Sequence, residues 1–448
     1  MLKIAIVGAG SWGTALGKVL AEKAYEVYLL ARRREIVSTI NREHINPQYL
    51  PGIKLPSNLK ATLSPGEALT ETQIVIWTIP SHALEEVLLT LKSYLKKSLY
   101  HVSGIKGMDI ETGKSPLQIL RSHLGEDRKY FVLGGPSFAF ELAQRLPTAV
   151  VLAGFEKEAT TYLQEVFAWK YLRVYRSYDP LGVELAGALK NVIAIAAGIS
   201  DGLALGLNAR AGLISRGLRE LERCGIALGG KRETFYGLAG LGDLVLTCTG
   251  TLSRNYQVGL RLAQGKNIER VLEEIGQVAE GVKTVSVIKR LAEERALNLP
   301  ICEEVYKIIY EGEDPRNSLK RLLSRSLKDE FEEEAMENLK LVVHVPDPAR
   351  FEAGLKVSRN FALHMRDKKF ELRILVNYEG VKVLQDFSSY MDLYQEVLNL
   401  GGEVYFCETA LRSLNFSKDM LPKGAKTIPS GIVALAEWQQ EGFSYVRA

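Results

Sequence analysis

Cysteine is scarce in this chain. Its 448 residues include four, Cys224, Cys248, Cys302 and Cys407, with no CxxC pair among them. That excludes a zinc site and a disulfide framework and fits a reducing, cytoplasmic compartment. A charge excess is missing as well: 57 basic against 53 acidic side chains leave +4, which gives no electrostatic case for nucleic acid as a main partner. No internal repeat or low-complexity tract is evident. The apolar N-terminal stretch is broken by glycines at 8, 10 and 13, so it reads as a strand and turn rather than a signal peptide. The most apolar later stretch, 185–199, is too short for a spanning helix and carries Lys190 and Asn191 in its middle, so no membrane segment is expected. What is present is an ordinary globular composition, 46% hydrophobic and 25% charged. The length exceeds what one hydrophobic core organises, so two or three domains are expected.

Residues 2–7 are apolar and rich in branched side chains, a glycine cluster follows, and 14–23 carry a helical pattern. That is strand, tight turn, helix. Apolar runs at 27–30, 74–79, 99–102 and 131–133, separated by turns or helical stretches, predict a buried parallel sheet, so the first third reads as a doubly wound α/β domain of Rossmann type. Past Asp179 the strand signals nearly stop, and helical patterns at 182–197, 209–224 and 282–294 predict an all-α second domain. The acidic run KDEFEEEAME at 328–337 suits a solvated helix or linker and places the last boundary. Beyond it, apolar runs at 339–345, 372–376 and 404–407 predict a small flavodoxin-like α/β domain. The expected domains are 1–178, 179–330 and 339–448.

Gly8-Ala9-Gly10-Ser11-Trp12-Gly13 is a GxGxxG set between a strand and a helix. Small residues there let the backbone approach a pyrophosphate at the helix N-terminus, so a dinucleotide is expected; a glycine-rich turn that binds nothing is the alternative. At the end of the second strand an NAD-specific site would place an acid for the ribose 2′-hydroxyl, but the sequence reads Ala31-Arg32-Arg33-Arg34. Guanidinium groups favour a 2′-phosphate, hence NADPH without strict exclusion of NADH; a solvated basic turn is the alternative.

Residues 185–198 predict a helix that is small and apolar around most of its surface, which marks it as buried. Lys190 inside it must pair with a negative group or line a polar cavity, and desolvation would lower its pKa toward the range useful for proton transfer. A structural ion pair with Glu184 or Asp243 is the bland alternative. The glycine-rich 237–242 leads to Asp243, and Thr247 opens a polar stretch ending in Ser253, Arg254 and Asn255. Hydroxyl, guanidinium and amide groups beside free backbone N–H donors suit a phosphate, although the same triplet serves as a simple helix cap.

These motifs together resemble the bacterial NAD(P)-dependent glycerol-3-phosphate dehydrogenase family over residues 1 to about 330. The matching segments are GAGSWGTA at 8–15, INPQYLPGIKLP at 45–56, IPSHAL at 79–84, GGPSFAFELA at 134–143, VELAGALKNVIAIAAGISDGL at 183–203, GLAGLGDL at 237–244, TLSRNY at 251–256 and QVAEGV at 277–282. The resemblance implies reversible reduction of dihydroxyacetone phosphate to glycerol 3-phosphate, supplying glycerophospholipid synthesis, and leaves a homodimer open. It implies Lys190 as the proton donor, with Lys106, Gly135, Ser137, Asp243, Ser253, Arg254 and Asn255 around the substrate. Beside Gly8, Gly10 and Gly13, it places Ser11, Trp12, Arg32, Arg33, Tyr49, Ala139, Val278 and Glu280 against the cofactor, with Lys106 and Arg254 touching both ligands. One segment departs from the family, Ser103-Gly-Ile-Lys106-Gly-Met-Asp109, where alanine or threonine more often precedes the lysine and glutamate follows the glycine. The lysine itself is kept.

More than a hundred residues remain. FCETALRSL at 406–414 and TIPSGIVAL at 427–435 look like the DsrE-like family of small sulfur-relay proteins, over about 339–448. Cys407 ends a predicted strand, where open α/β sheets place ligands, and a thiolate there could carry persulfide sulfur. A buried inert cysteine is the alternative, and no adjacent Lys or His is evident in the sequence. His101, His123 and His364 are isolated, and no metal site is expected. Two other functions were weighed. A reductase of another small hydroxy acid is disfavoured by Ser253, Arg254 and Asn255. A sulfur-relay or redox-sensing protein that only binds nucleotide is disfavoured by the presence of Lys190 and Asp243.

Overall fold

The computed structural model describes residues 2–97, 99–327, 329–330, 339–366 and 370–448. Most of the acidic run at 328–337, where the last boundary was expected, lies outside the described residues. The chain divides into two units, Met1–Arg325 and Ser326–Ala448.

Eight strands form the sheet of the first unit: β1 (Lys3–Val7), β2 (Glu26–Leu30), β3 (Leu59–Thr62), β4 (Ile74–Trp77), β5 (Tyr100–Ser103), β6 (Lys129–Gly134), β7 (Thr148–Gly154) and β8 (Leu172–Ser177). Their order is β8-β7-β6-β5-β4-β1-β2-β3. From β1 the chain builds outward through β2 and β3, then returns to the other side of β1 for β4. A switch point therefore opens between β1 and β4, the place where open α/β sheets hold ligands. Ile4, Ile6, Ile74 and Ile76 in those two strands are fully buried, which is why they read as continuous apolar runs. Helix α1 (Ser11–Glu22) packs on this sheet through Leu16, Val19 and Leu20.

Three strands carry little sequence signal. β3 and β8 are the sheet edges, and β8 alternates buried with exposed residues along LRVYRS. β7, TAVVLAG, is a short apolar run that pattern alone cannot separate from buried helix. It also corrects the expected parallel sheet, because β7 runs antiparallel to β6 while β8 runs parallel to β7. The β6–β7 link, 135–147, holds only the short helix Ala139–Ala143, too little to cross the sheet and return in the same direction.

The second part of the unit is helical and wraps α2 (Pro180–Gly202). Its start is well defined: Pro180 fills the first turn, and the Asp179 carboxylate accepts from Gly182 N at 2.9 Å. The helix runs past the 185–199 read from the sequence. By length and composition it is able to cross a membrane, which corrects the expectation that it is too short, but every residue of its most apolar window is buried inside the fold. Around it lie α3 (Gly206–Ala227), α4 (Asp243–Thr249), α5 (Arg254–Ala263) and α6 (Glu280–Glu294). Between α2 and α5 the backbones touch. A Cβ at Gly198 would sit 2.0 Å from Tyr256 O, and one at Gly259 would sit 2.0 Å from Ile195 O, so any side chain at either position drives the helices apart.

The second unit is a wholly parallel five-stranded sheet: β9 (Leu339–Val345), β10 (Phe370–Val376), β11 (Gly402–Cys407), β12 (Lys426–Ile428) and β13 (Ser444–Arg447). Phe351, Leu355, Tyr394 and Phe406 fill the core on one face, Leu435, Trp438 and Phe443 on the other. The α/β class is as expected, but the order β12-β11-β10-β9-β13 is not the flavodoxin arrangement. The first four strands are laid down in one direction, and only the last crosses over to the far side of β9.

Candidate active site

At the switch point between β1 and β4 a cavity of about 1340 Å³ opens. Gly8, Gly10, Ser11 and Trp12 form one wall. A Cβ on Gly13 would lie 2.1 Å from Gly8 O, so that glycine lets α1 seat against the turn and does not itself reach the cavity. Gly10 has nothing within 4 Å of its Cβ position and is open to an incoming group. The first turn of α1 has no side-chain cap and no acid, which leaves its N–H donors for an anion. Asn46, buried beneath, donates to Ala9 O at 3.0 Å and Thr14 Oγ1 at 2.9 Å and so fixes the turn.

Arg32, Arg33 and Tyr49 line the far end of this wall. The Arg33 guanidinium lies over the Tyr49 ring, 5.4 Å from its centroid, and donates to the Tyr49 hydroxyl. Neither arginine is paired with a carboxylate among the described residues. Ala139 and Val278 also line the cavity. Glu280, the first residue of α6, accepts from Ser81 N at 3.0 Å and Ser81 Oγ at 2.6 Å, which ties the loop after β4 to the helical part.

The floor holds three charges. Lys190 is 4% exposed, and its ammonium lies 2.5 Å from Asp243 Oδ1 while its aligned hydrogen bond goes to Thr247 Oγ1 at 2.7 Å. Lys106 donates to Asp243 Oδ2 at 2.9 Å, Gly135 O at 3.0 Å and Ser137 Oγ at 3.1 Å. One carboxylate thus answers two ammonium groups, and the cluster has a surplus positive charge facing the cavity. Burial pulls Lys190 down from its ordinary value to about 7; Asp243 opposes this and Lys106 adds to it. Asp243 follows a π-helical turn, Leu238–Gly242, formed by the glycine-rich segment. Of the two partners weighed for Lys190, Asp243 is the one it meets. Glu184 instead accepts from Ser103 Oγ and Leu117 N, away from the lysine.

Ser253 caps α5, its hydroxyl accepting from Tyr256 N at 3.2 Å. Arg254 lines the cavity mouth with no hydrogen bond or ion pair among the described residues. Asn255 is already engaged: its Nδ2 donates to Asn191 Oδ1 at 2.9 Å and its Oδ1 accepts from Gly281 N at 3.0 Å. Asn191 in turn donates to Lys106 O at 2.9 Å. Gly135 lies behind the cavity and takes part through its carbonyl. Sequence reasoning missed Thr247, although it stands four residues after Asp243 on one helix face, a readable spacing. It also missed Asn46, Ser81 and Asn191, whose partners lie far away in the chain.

In the second unit Cys407 ends β11 and is 5% exposed. Its sulfur accepts from Gly431 N at 3.2 Å. All four cysteines are free and buried, and burial pushes Cys224 and Cys248 up to about 12. The isolated histidines stay apart from both sites: His101 stacks on Trp77, His123 meets Glu85, and His364 meets its own helix at Asn360 O.

A glycerol-3-phosphate dehydrogenase [NAD(P)+] of Nitratidesulfovibrio vulgaris (Hildenborough) is 46% identical over 330 residues, 73% of this chain and 100% of that protein. The chain belongs to the NAD-dependent glycerol-3-phosphate dehydrogenase family. The family's N-terminal model matches residues 3–160 and its C-terminal model 179–320. A Syntrophobacter fumaroxidans relative of the same name is 45% identical over 73% of this chain and 97% of its own. Among solved structures, the glycerol-3-phosphate dehydrogenase of Coxiella burnetii aligns with a TM-score of 0.70 at 40% identity, over 72% of this chain and 99% of its own. A Plasmodium falciparum glycerol-3-phosphate dehydrogenase aligns at 0.66 and 26%, over 73% and 97%. A DsrE/DsrF-like family model matches residues 340–448. The curated relatives thus correspond to the first unit, and the second is an addition to it.

Proposed function

We propose that the first unit reduces dihydroxyacetone phosphate reversibly to sn-glycerol 3-phosphate, with Lys190 as general acid. The observation that carries this reading is the buried Lys190–Asp243–Lys106 cluster at the floor of a cavity whose other end suits a dinucleotide. The open space over Gly10 and the uncapped α1 terminus fit the pyrophosphate of a nicotinamide cofactor. When bound, that cofactor supplies the hydride. Lys190 hands a proton to the ketone oxygen as negative charge grows there, and Asp243 and Thr247 hold its ammonium in place. Lys106 adds a second positive charge beside the same oxygen. Arg254, unpaired at the mouth, and the N–H donors of α5 anchor the substrate phosphate, which fixes the carbonyl against the floor. Asn255 supports this from behind by holding Asn191, which holds the Lys106 backbone. The product supplies glycerophospholipid synthesis.

Arg32 and Arg33, with no carboxylate beside them, favour NADPH over NADH. The test is direct: NADPH absorbance is followed with dihydroxyacetone phosphate, beside NADH and beside Lys190→Ala. Rapid oxidation that the variant abolishes supports the reading. No oxidation of either cofactor overturns it and leaves a nucleotide-binding fold without the reaction.

For the second unit the reading is a reactive, sulfur-carrying Cys407. Its support is the Gly431 N–H aimed at the sulfur at 3.2 Å from the start of α7 (Gly431–Gln440), at the C-terminal end of β11 where open α/β sheets place ligands.

A further inference from the structure

The first unit buries a carboxylate that the proposed reaction does not use. Glu184, in the second turn of α2, is 2% exposed, and no cation pairs with it among the described residues. Its two oxygens accept from Ser103 Oγ at 3.1 Å and from Leu117 N at 3.0 and 3.1 Å. Leu117 lies in the first turn of the helix Pro116–Leu124, where N–H groups suit negative charge. Burial pushes the Glu184 carboxyl up to about 7, and the Ser115 hydroxyl, the Leu117 N–H and the Ser103 hydroxyl oppose that rise. An apolar side chain at 184 would avoid the cost of burying a charge, so what the carboxylate adds is direction: it ties α2 to the end of β5 and to the helix behind it.

The end of β5 matters because Lys106 follows Ser103 by three residues and stands in an irregular stretch, 104–109. No ladder of its own holds that stretch, and one face of α2 runs along it. Glu184, Gly187 and Asn191 share that face at the spacing i, i+3, i+7. Glu184 meets Ser103, a Cβ on Gly187 would lie 3.7 Å from Lys106 Cγ, and Asn191 donates to Lys106 O at 2.9 Å. Beside them, a Cβ on Gly134 would lie 2.7 Å from Val183 Cγ1, so the end of β6, whose next carbonyl Lys106 grips, is pressed on the same helix. Lys190 is carried by α2 itself, six residues after Glu184.

We propose that Glu184 is a positioning residue for Lys106: by holding Ser103 it sets where the loop leaves β5, and so where the Lys106 ammonium stands relative to Lys190. This rests on reading Lys106 as the second charge beside the reacting oxygen. One helix thus places both lysines, one as part of its own backbone and the other through ties at Ser103 and at the Lys106 carbonyl.

The test is a double-mutant cycle in the full chain: kcat for dihydroxyacetone phosphate reduction at saturating NADPH for wild type, Ser103→Ala, Lys106→Ala and the double variant, each assayed well below its unfolding midpoint. Glycerol 3-phosphate is quantified by mass spectrometry, so that slow variants are also read. Ser103→Ala keeps every cavity side chain and removes only the donor to Glu184. It is expected to lower kcat about tenfold where Lys106 is present, and less than about twofold where Lys106 is already alanine, because a displaced loop costs nothing further once the lysine is gone. A carboxylate that only stabilises the fold leaves kcat intact or costs the same factor in both backgrounds, and either result overturns the proposal. Glu184→Met repeats the cycle from the acceptor side, with the same non-additivity expected and the same equality of factors counting against it. Wild-type kcat in Lys106→Ala overturns instead the reading of Lys106 beneath the proposal, and no turnover by the wild type overturns the reaction itself.

Discussion

The two units both place a candidate reactive group at the C-terminal edge of a largely parallel sheet or against it, yet they surround it with opposite kinds of group. In the first unit the cavity floor has two ammonium groups sharing one carboxylate, all within hydrogen-bonding distance. In the second, the Cys407 sulfur meets one backbone N–H, that of Gly431. Buried charges are costly unless paired, so the first arrangement is stiff and fails badly when one member is removed. A backbone N–H that meets an acceptor costs little to bury, so the second is gentle, with smaller consequences. On the proposed roles, proton transfer to a growing alkoxide draws on the full charges of Lys190 and Lys106, whereas Cys407 meets a backbone N–H.

Breaking the first arrangement gives the largest effect. Lys190→Ala lowers kcat for dihydroxyacetone phosphate reduction by about 10²–10⁴-fold, while Cys407→Ser leaves it unchanged; steady-state rates of the two variants side by side check this. Next, Asp243→Asn strands the buried ammonium of Lys190 and the partly exposed one of Lys106 and costs about 3–5 kcal/mol of stability in guanidinium unfolding, with activity lost in parallel. A wild-type-like unfolding midpoint in that variant would mean the pair is not the stiff element described.

The pH profile sharpens the comparison from the other side. On the proposed role reduction needs protonated Lys190, whose pKa burial draws down to about 7, so kcat/KM for reduction is expected to fall as pH rises through that region, by about tenfold per unit beyond it. Oxidation of glycerol 3-phosphate needs the neutral amine and shows the reverse trend, rising to a plateau. A flat profile for both directions from pH 6 to 9 would remove Lys190 from the proton transfer. The smallest effect belongs to the rim. Arg32→Ser combined with Arg33→Ser weakens NADPH relative to NADH by about tenfold in kcat/KM, as expected for loss of charge-assisted hydrogen bonds.

How much of this was legible before the fold was known depended on distance along the chain. The β1–turn–α1 unit was readable because glycine spacing, apolar run and helical pattern lie within some twenty residues and agree. Lys190 was readable because a lysine in an otherwise apolar helix has to be explained, and Asp243 was one of only two partners proposed. The position of Asn255 beside the cavity was implied by family likeness, but the commitment of its amide to Asn191 and Gly281 joins three helices and leaves no local trace. β7 was illegible for a different reason: a short apolar run does not declare its direction, which the length of the β6–β7 link decides. In the second unit the hydrogen-bonded run from Tyr445 through His344 to Asn377 was invisible too, because its members come from three strands or strand ends brought together only by the strand order of the second sheet.

The buried helix α2 has a consequence for synthesis. Its side chains are apolar around most of its surface, and α5, whose backbone it touches at Gly198, begins about fifty residues later, so at about 5–20 residues per second the helix waits about 3 to 10 s for that partner. During that interval its long apolar stretch, broken by Glu184 and Lys190, lacks the helix it packs against. Slowing translation between Gly202 and Arg254 lengthens the exposure, and the nascent chain then competes between folding and capture by lipid or chaperone.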